Sequence, residues 1–170
     1  MDSTTDLLRA TPKVLLAGVG YANLRDVSVG PVLAARFAQR EWPAGVEVHD
    51  YSFGAIDAIH RLRDGAYDRA VFFGSIDRGA APGSIRRYVW TGGEQDANAV
   101  QERVAEAAQA VISLDTTLIV TSYFGALPKD TVVFEVEPED LNFGDGFSPK
   151  VEDAVAELVV LLEKEVAEHD

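Results

Sequence analysis

The sequence predicts a three-layer α/β/α sandwich around a mostly parallel sheet of about five strands. Short apolar runs bounded by Gly and Pro recur along the chain. Stretches with apolar residues at helical spacing separate them. Strands interleaved with helices in this way bury both faces of a parallel sheet, which is the α/β arrangement.

Residues 13–18 read as the first strand, a buried apolar run between Pro12 and the Gly18/Gly20 pair. A loop runs to Gly30. Pro31 then suits the first turn of a helix that Val32, Leu33, Arg36, Phe37 and Arg40 continue. Residues 46–51 form the second strand, entered from Pro43-Ala44-Gly45. Ile56, Ile59, His60 and Leu62 mark a short helix closed at Gly65. Residues 69–73 are nearly continuous in their apolar character, as the centre of a parallel sheet requires. Residues 79–83 are turn material.

A helix follows over 97–112, with Val100, Val104, Ala107, Ala108 and Val111 on one stripe and charges opposite. Residues 116–123 and 131–136 read as the remaining strands. Pro128-Lys129-Asp130 leaves no room for a crossover helix between them, so a mixed or antiparallel edge is expected. Ser148 as N-cap and Pro149 at the first position open the last helix, which runs through Val151, Val155, Leu158, Leu162 and Val166.

The 170 residues fit one domain over 13–168, after a polar stretch 1–12 expected to be flexible. Cysteine is absent, which removes disulfides, thiolate zinc sites, iron–sulfur clusters and cysteine nucleophiles. Residues 1–11 lack the basic-then-apolar order of a secretory signal. No apolar run nears the ~20 residues of a membrane helix, so a cytoplasmic location without membrane partners is expected. Net charge is −13, from 28 acidic against 15 basic side chains. Such a balance repels phosphate backbones and argues against nucleic-acid binding.

Ligand sites in these sheets form beyond the carboxyl ends of the strands, which directs attention to loops 18–30, 74–83 and 92–96. Gly18-Val19-Gly20 lacks the third glycine of a dinucleotide fingerprint, because Asn23 stands there. His49, His60 and His169, the three histidines, show no helical ligand spacing and read as structural or surface residues. Gly74-Ser75 follows a strand but lacks the glycines of a nucleophile elbow. Asp26, Asp77 and Asp96 place one carboxylate in each loop. Together they suit a divalent ion or acid–base chemistry; separately each suits a turn or a helix cap. Trp90, Trp42 and Tyr88 suit core packing, with Trp90 also placed to line a cleft near 92–96. The acidic segment 135–145 reads as a solvated loop.

Several segments in order resemble the hydrogenase maturation proteases, the nickel–iron hydrogenase C-terminal processing endopeptidases. They are Gly18-Val19-Gly20 with Asn23-Leu24-Arg25-Asp26-Val27-Ser28-Val29-Gly30, then Val46-Glu47-Val48-His49-Asp50, then the run from Phe72 through Asp77 and Pro82-Gly83 to Ser84. Val136-Glu137-Pro138-Glu139 and Gly146-Phe147-Ser148-Pro149-Lys150-Val151 complete the pattern. The resemblance implies a phosphorylase/hydrolase-like sandwich. It also implies metal-dependent removal of a C-terminal extension from the hydrogenase large subunit, with the substrate's nickel recognised by two carboxylates and a histidine.

This chain departs from the family at those ligands. The first carboxylate position falls on Val27, the second on Gly74, and the histidine position on Asp96. Two readings stay open. In one, Asp26, Asp77 and Asp96 form a displaced carboxylate site in a working peptidase. In the other, the fold persists without catalysis and holds the nickel–iron hydrogenase large subunit or its accessory proteins.

Overall fold

The computed structural model describes residues 11–92 and 96–168. Most of the N-terminal stretch expected to be flexible, and His169, lie outside the described residues.

Five strands make one sheet: β1 (Val14–Val19), β2 (Val46–Asp50), β3 (Arg69–Ser75), β4 (Ile85–Val89) and β5 (Asp130–Val136). Their order is β2-β1-β3-β5-β4, parallel except where β4 runs antiparallel to β5. Alternation along the strands sorts the core onto two faces. Leu16, Val71, Phe73, Val132 and Phe134 pack with Leu33 and Phe37 of α1 (Val29–Phe37) and with Val151, Leu158 and Leu162 of α5 (Pro149–Ala167). On the other face Leu15, Ala17, Ala70, Phe72 and Val133 meet Ala58 and Leu62 of α2 (Ala55–Gly65) and Leu114 and Leu118 of α4 (Leu114–Tyr123). The sandwich therefore has three layers, as expected. Among the described residues no helix is long and apolar enough to cross a membrane.

The expected strand at 116–123 is a helix. Every residue from Thr116 to Thr121 is buried, so the run shows no amphipathic period, and a buried helix and a buried strand then look alike. What distinguishes them is the start: Ser113 is the N-cap and accepts the Thr116 N–H through its hydroxyl at 3.1 Å. The fifth strand is β4 instead, in a stretch that carried no strand expectation. Its exposed Arg86 and Arg87 mask the apolar alternation of an edge. The mixed edge is real, but it is formed by β4 against β5.

Two helices differ in extent. The 3-10 turn Arg25–Ser28 brings α1 in at Val29, two residues before Pro31. The helix expected over 97–112 ends at Ala108 (α3, Ala97–Ala108). It covers α2 and α4 rather than the sheet, so Ala107 is its one fully buried residue.

At the amino-terminal end of β3 and β5, Arg69 bonds Glu165 of α5 and reaches Asp130 at 3.2 Å, while Arg87 donates to Glu165 at 2.7 and 2.8 Å. Glu165 and Arg69 are both buried, and this ion cluster ties the distal half of α5 to β3 and β4.

Candidate functional site

The carboxyl ends of β1, β3 and β5 release three loops, and the packing beneath them is backbone on backbone. A Cβ on Gly18 would stand 2.2 Å from the Gly30 carbonyl oxygen, and one on Gly30 would stand 2.2 Å from that of Val19. The chain therefore folds back over the tip of β1 at a separation that excludes side chains.

Asp26 sits inside this return, fully buried. One carboxylate oxygen accepts the N–H groups of Glu139 at 2.9 Å and Asp140 at 2.7 Å and the Ser148 hydroxyl at 2.7 Å. The other accepts the Ser148 N–H at 2.7 Å. Four donors fill the acceptor capacity of a carboxylate. Burial pushes the Asp26 pKa up, but the bonds from Asp140, Ser148 and Glu139 outweigh it and hold the group below the usual carboxylate range. The main chain adds to the clasp: Arg25 N–H donates to the Gly144 carbonyl at 3.1 Å, and Gly144 N–H to that of Asn23 at 2.8 Å. Ser148 stands at the N-cap of α5 as expected, yet its hydroxyl serves Asp26 rather than the helix.

The loop after β3 is held by two further carboxylates. Glu137, buried, accepts the N–H groups of Arg78 and Gly79 at 3.0 Å each. Glu135, also buried, takes the Arg78 guanidinium at 3.0 and 3.1 Å and the Tyr88 hydroxyl at 3.2 Å. Asp115, at the start of α4, takes the same guanidinium in a fork at 2.8 and 2.9 Å. Arg78 is thereby locked in its charged form, and burial beside Glu135 pushes the Tyr88 hydroxyl pKa up. The expected solvated loop at 135–145 thus begins inside the protein; exposure starts at Glu139.

Asp77 is exposed and closes a turn by accepting the Gly79 N–H at 3.1 Å. Asp96 is exposed and caps α3, accepting the Ala99 N–H at 2.8 Å. Residues 93–95 of that loop lie outside the described residues. Asp26, Asp77 and Asp96 are accordingly not brought together, and among the described residues no three His, Cys, Asp or Glu side chains are grouped as metal ligands. Val27 is half-buried. Gly74 is walled in: a Cβ there would lie 2.4 Å from the Val19 carbonyl oxygen and 3.2 Å from the Leu114 side chain. Neither Val27 nor Gly74 carries a side-chain donor atom.

Sequence reasoning missed Glu135, Arg78 and Asp115. Glu135 and Glu137 lie two apart at the end of an apolar strand, hence on one face, and that was the available signal. His49 is half-buried near Glu47 and His60 is exposed on α2, both without ligand partners among the described residues. Trp42 packs on the core with its ring N–H on the Phe37 carbonyl, and Tyr88 packs against the core on the other face of the sheet. Trp90 does both things considered for it, packing on the core and lining a cleft.

No family model matches the sequence. No curated protein matches it either. Solved structures do match. A nickel–iron hydrogenase maturation protease, HycI from Thermococcus kodakarensis, superposes with a TM-score of 0.68 at 13% identity, covering 95% of this chain and 97% of that one. A hydrogenase 2 maturation peptidase from a Thaumarchaeota archaeon gives 0.64 at 23% identity, over 90% and 97%. The hydrogenase maturating endopeptidase HybD from Escherichia coli gives 0.63 at 21% identity, over 90% and 93%. The chain has the fold of these maturation proteases.

Proposed function

We propose that the chain is a maturation-protease-like protein that binds the large subunit of a nickel–iron hydrogenase, or the accessory proteins that accompany it, without carrying out metal-guided cleavage itself. The shared fold over nearly its whole length supports the partner class. One observation carries the loss of cleavage. Gly74 stands where the family places a carboxylate, and the Val19 carbonyl and Leu114 occupy the space a side chain would need. The Val27 side chain offers no lone pair at the other carboxylate position.

The displaced-carboxylate reading makes a heavier demand. Asp26 would have to surrender four hydrogen bonds to reach a substrate, and Asp77 and Asp96 would have to leave their turn and cap. A buried acceptor with four donors is a structural group, and its lowered pKa makes it a weak base.

The test uses the full chain and a nickel-loaded large-subunit precursor that retains its C-terminal extension. Interferometry is expected to register binding, and intact-mass spectrometry an unchanged precursor. A shortened product that disappears with Asp77→Asn would overturn the non-catalytic reading. Absence of binding would overturn the partner.

A further inference from the structure

We propose that residues 139–146 form a strap, and that this strap and the β1 return, 23–27, open and close as one unit while the sheet stays folded. Asp26 is the bolt of this latch, and Ser148, fixed at the N-terminus of α5, is its keeper. The inference is independent of the partner proposed above.

The two segments are fastened chiefly to each other. Besides the amides that Glu139 and Asp140 give the Asp26 carboxylate, the Asp26 N–H donates to the Asp140 carbonyl at 3.1 Å. The Arg25 N–H donates to the Gly144 carbonyl at 3.1 Å, and the Gly144 N–H to that of Asn23 at 2.8 Å. Leu24 and Gly144 make an isolated parallel bridge, and the Arg25 side chain lies 3.4 Å from the Asp140 carboxylate. Residues 23–26 thus take up residues 139, 140 and 144 together, so neither segment leaves without stripping the partners of the other. Hydrogen bonds interlocked in this way open cooperatively.

Apolar packing holds them only weakly. None of residues 139–148 is buried, whereas all six residues of β1 are. Leu141 and Phe143 are 49% and 82% exposed, so the strap gives the core nothing before Phe147, which packs against it beneath Arg36. The Lys150–Glu139 pair lies at the surface, where an ion pair adds little. Asn23 (φ 62°) and Arg25 (φ 35°) both stand in the left-handed region, which costs an L side chain free energy that opening releases. Few apolar contacts together with local strain mark a segment that opens well below the free energy of global unfolding.

Ser148 acts as keeper because it stays with α5. Phe147 before it and Val151 after it both pack on the core, and Pro149 sets the helix start. Its hydroxyl caps nothing within the helix, so α5 does not depend on the bond that Asp26 accepts from it. When the bolt withdraws, the Asp26 carboxylate passes from full burial to water and the strap loses its backbone partners. The consequence is coupling: a contact that steadies residues 139–146 also sets the conformation of 23–27 at the mouth of β1.

The test is amide exchange by NMR on the full chain, read at Arg25, Asp26, Glu139, Asp140, Gly144 and Ser148. Leu16 and Val71, paired in the middle of the sheet, serve as references. In the wild type the latch amides are expected to share one protection factor, about tenfold or more below that of the references. Ser148→Ala removes the hydroxyl and keeps the amide, so it should speed exchange of the whole set about tenfold and leave Leu16 and Val71 unchanged. Asp26→Asn should act on the same set more strongly; should that variant fail to fold, the Ser148 variant decides alone. Three results would each overturn the proposal: acceleration confined to Asp140 and Ser148, acceleration of none of the set, or wild-type protection equal to that of the references.

Discussion

The loops at the carboxyl end of the sheet and the free edge of β4 treat their polar groups in opposite ways. At the carboxyl end, where the fold places function, the buried carboxylates are consumed internally: Asp26 by four donors, Glu137 by two backbone amides, Glu135 by Arg78 and Tyr88. Along β4, among the described residues, the outward backbone groups have no strand partner, the Trp90 indole N–H has no acceptor and Lys129 has no ion-pair partner. These carboxylates hold the loops together, and that use fills their oxygens with donors from within the chain.

The comparison breaks first at Asp26 if its role is other than structural. Asp26→Ala leaves several buried N–H groups without an acceptor and is expected to cost about 4 kcal/mol in urea unfolding. A change below about 1 kcal/mol would mean the loops hold without it. Gly74→Asp ranks next. Its Cβ would press on the Val19 carbonyl, so a loss of about 3 kcal/mol is expected. Titration calorimetry of Val27→Glu/Gly74→Asp/Asp96→His should still show no nickel binding; micromolar binding would mean that the loops adapt.

The pH dependence sharpens the same point. The Asp26 pKa is lowered in the folded state, so the unfolded chain takes up the proton first as pH falls. Its contribution is fully present above the unfolded value of ~3.9 and is lost as pH drops through the folded value. Unfolding curves of wild type should therefore steepen below about pH 4, and Asp26→Asn should flatten that limb. The smallest effects belong to the exposed pair: Asp96→Ala should cost about 1 kcal/mol through its cap, and Asp77→Ala under about 0.5 kcal/mol.

The layer order was legible because β1, β3 and β5 are short apolar runs between Gly or Pro and charged residues, and Pro149 starts a helix whose stripe is regular. The failures have one cause, that burial sets pattern. The middle of α4, Thr116 to Thr121, is buried on every side and so loses its period, while β4 lies at an edge and carries Arg86 and Arg87 where a central strand would be apolar. At the site, the carboxylates were legible as residues but their employment was not. Asp26 reaches residues more than a hundred positions away, and nothing local to residues 23–30 announces Ser148 as its partner.

The reach from Asp26 to Ser148 spans 122 positions, so these hydrogen bonds cannot form until the chain has been made to the start of its last helix. The N-terminus of α5 supplies both the hydroxyl and the amide of this latch, a contact of long sequence separation of the kind that slows folding.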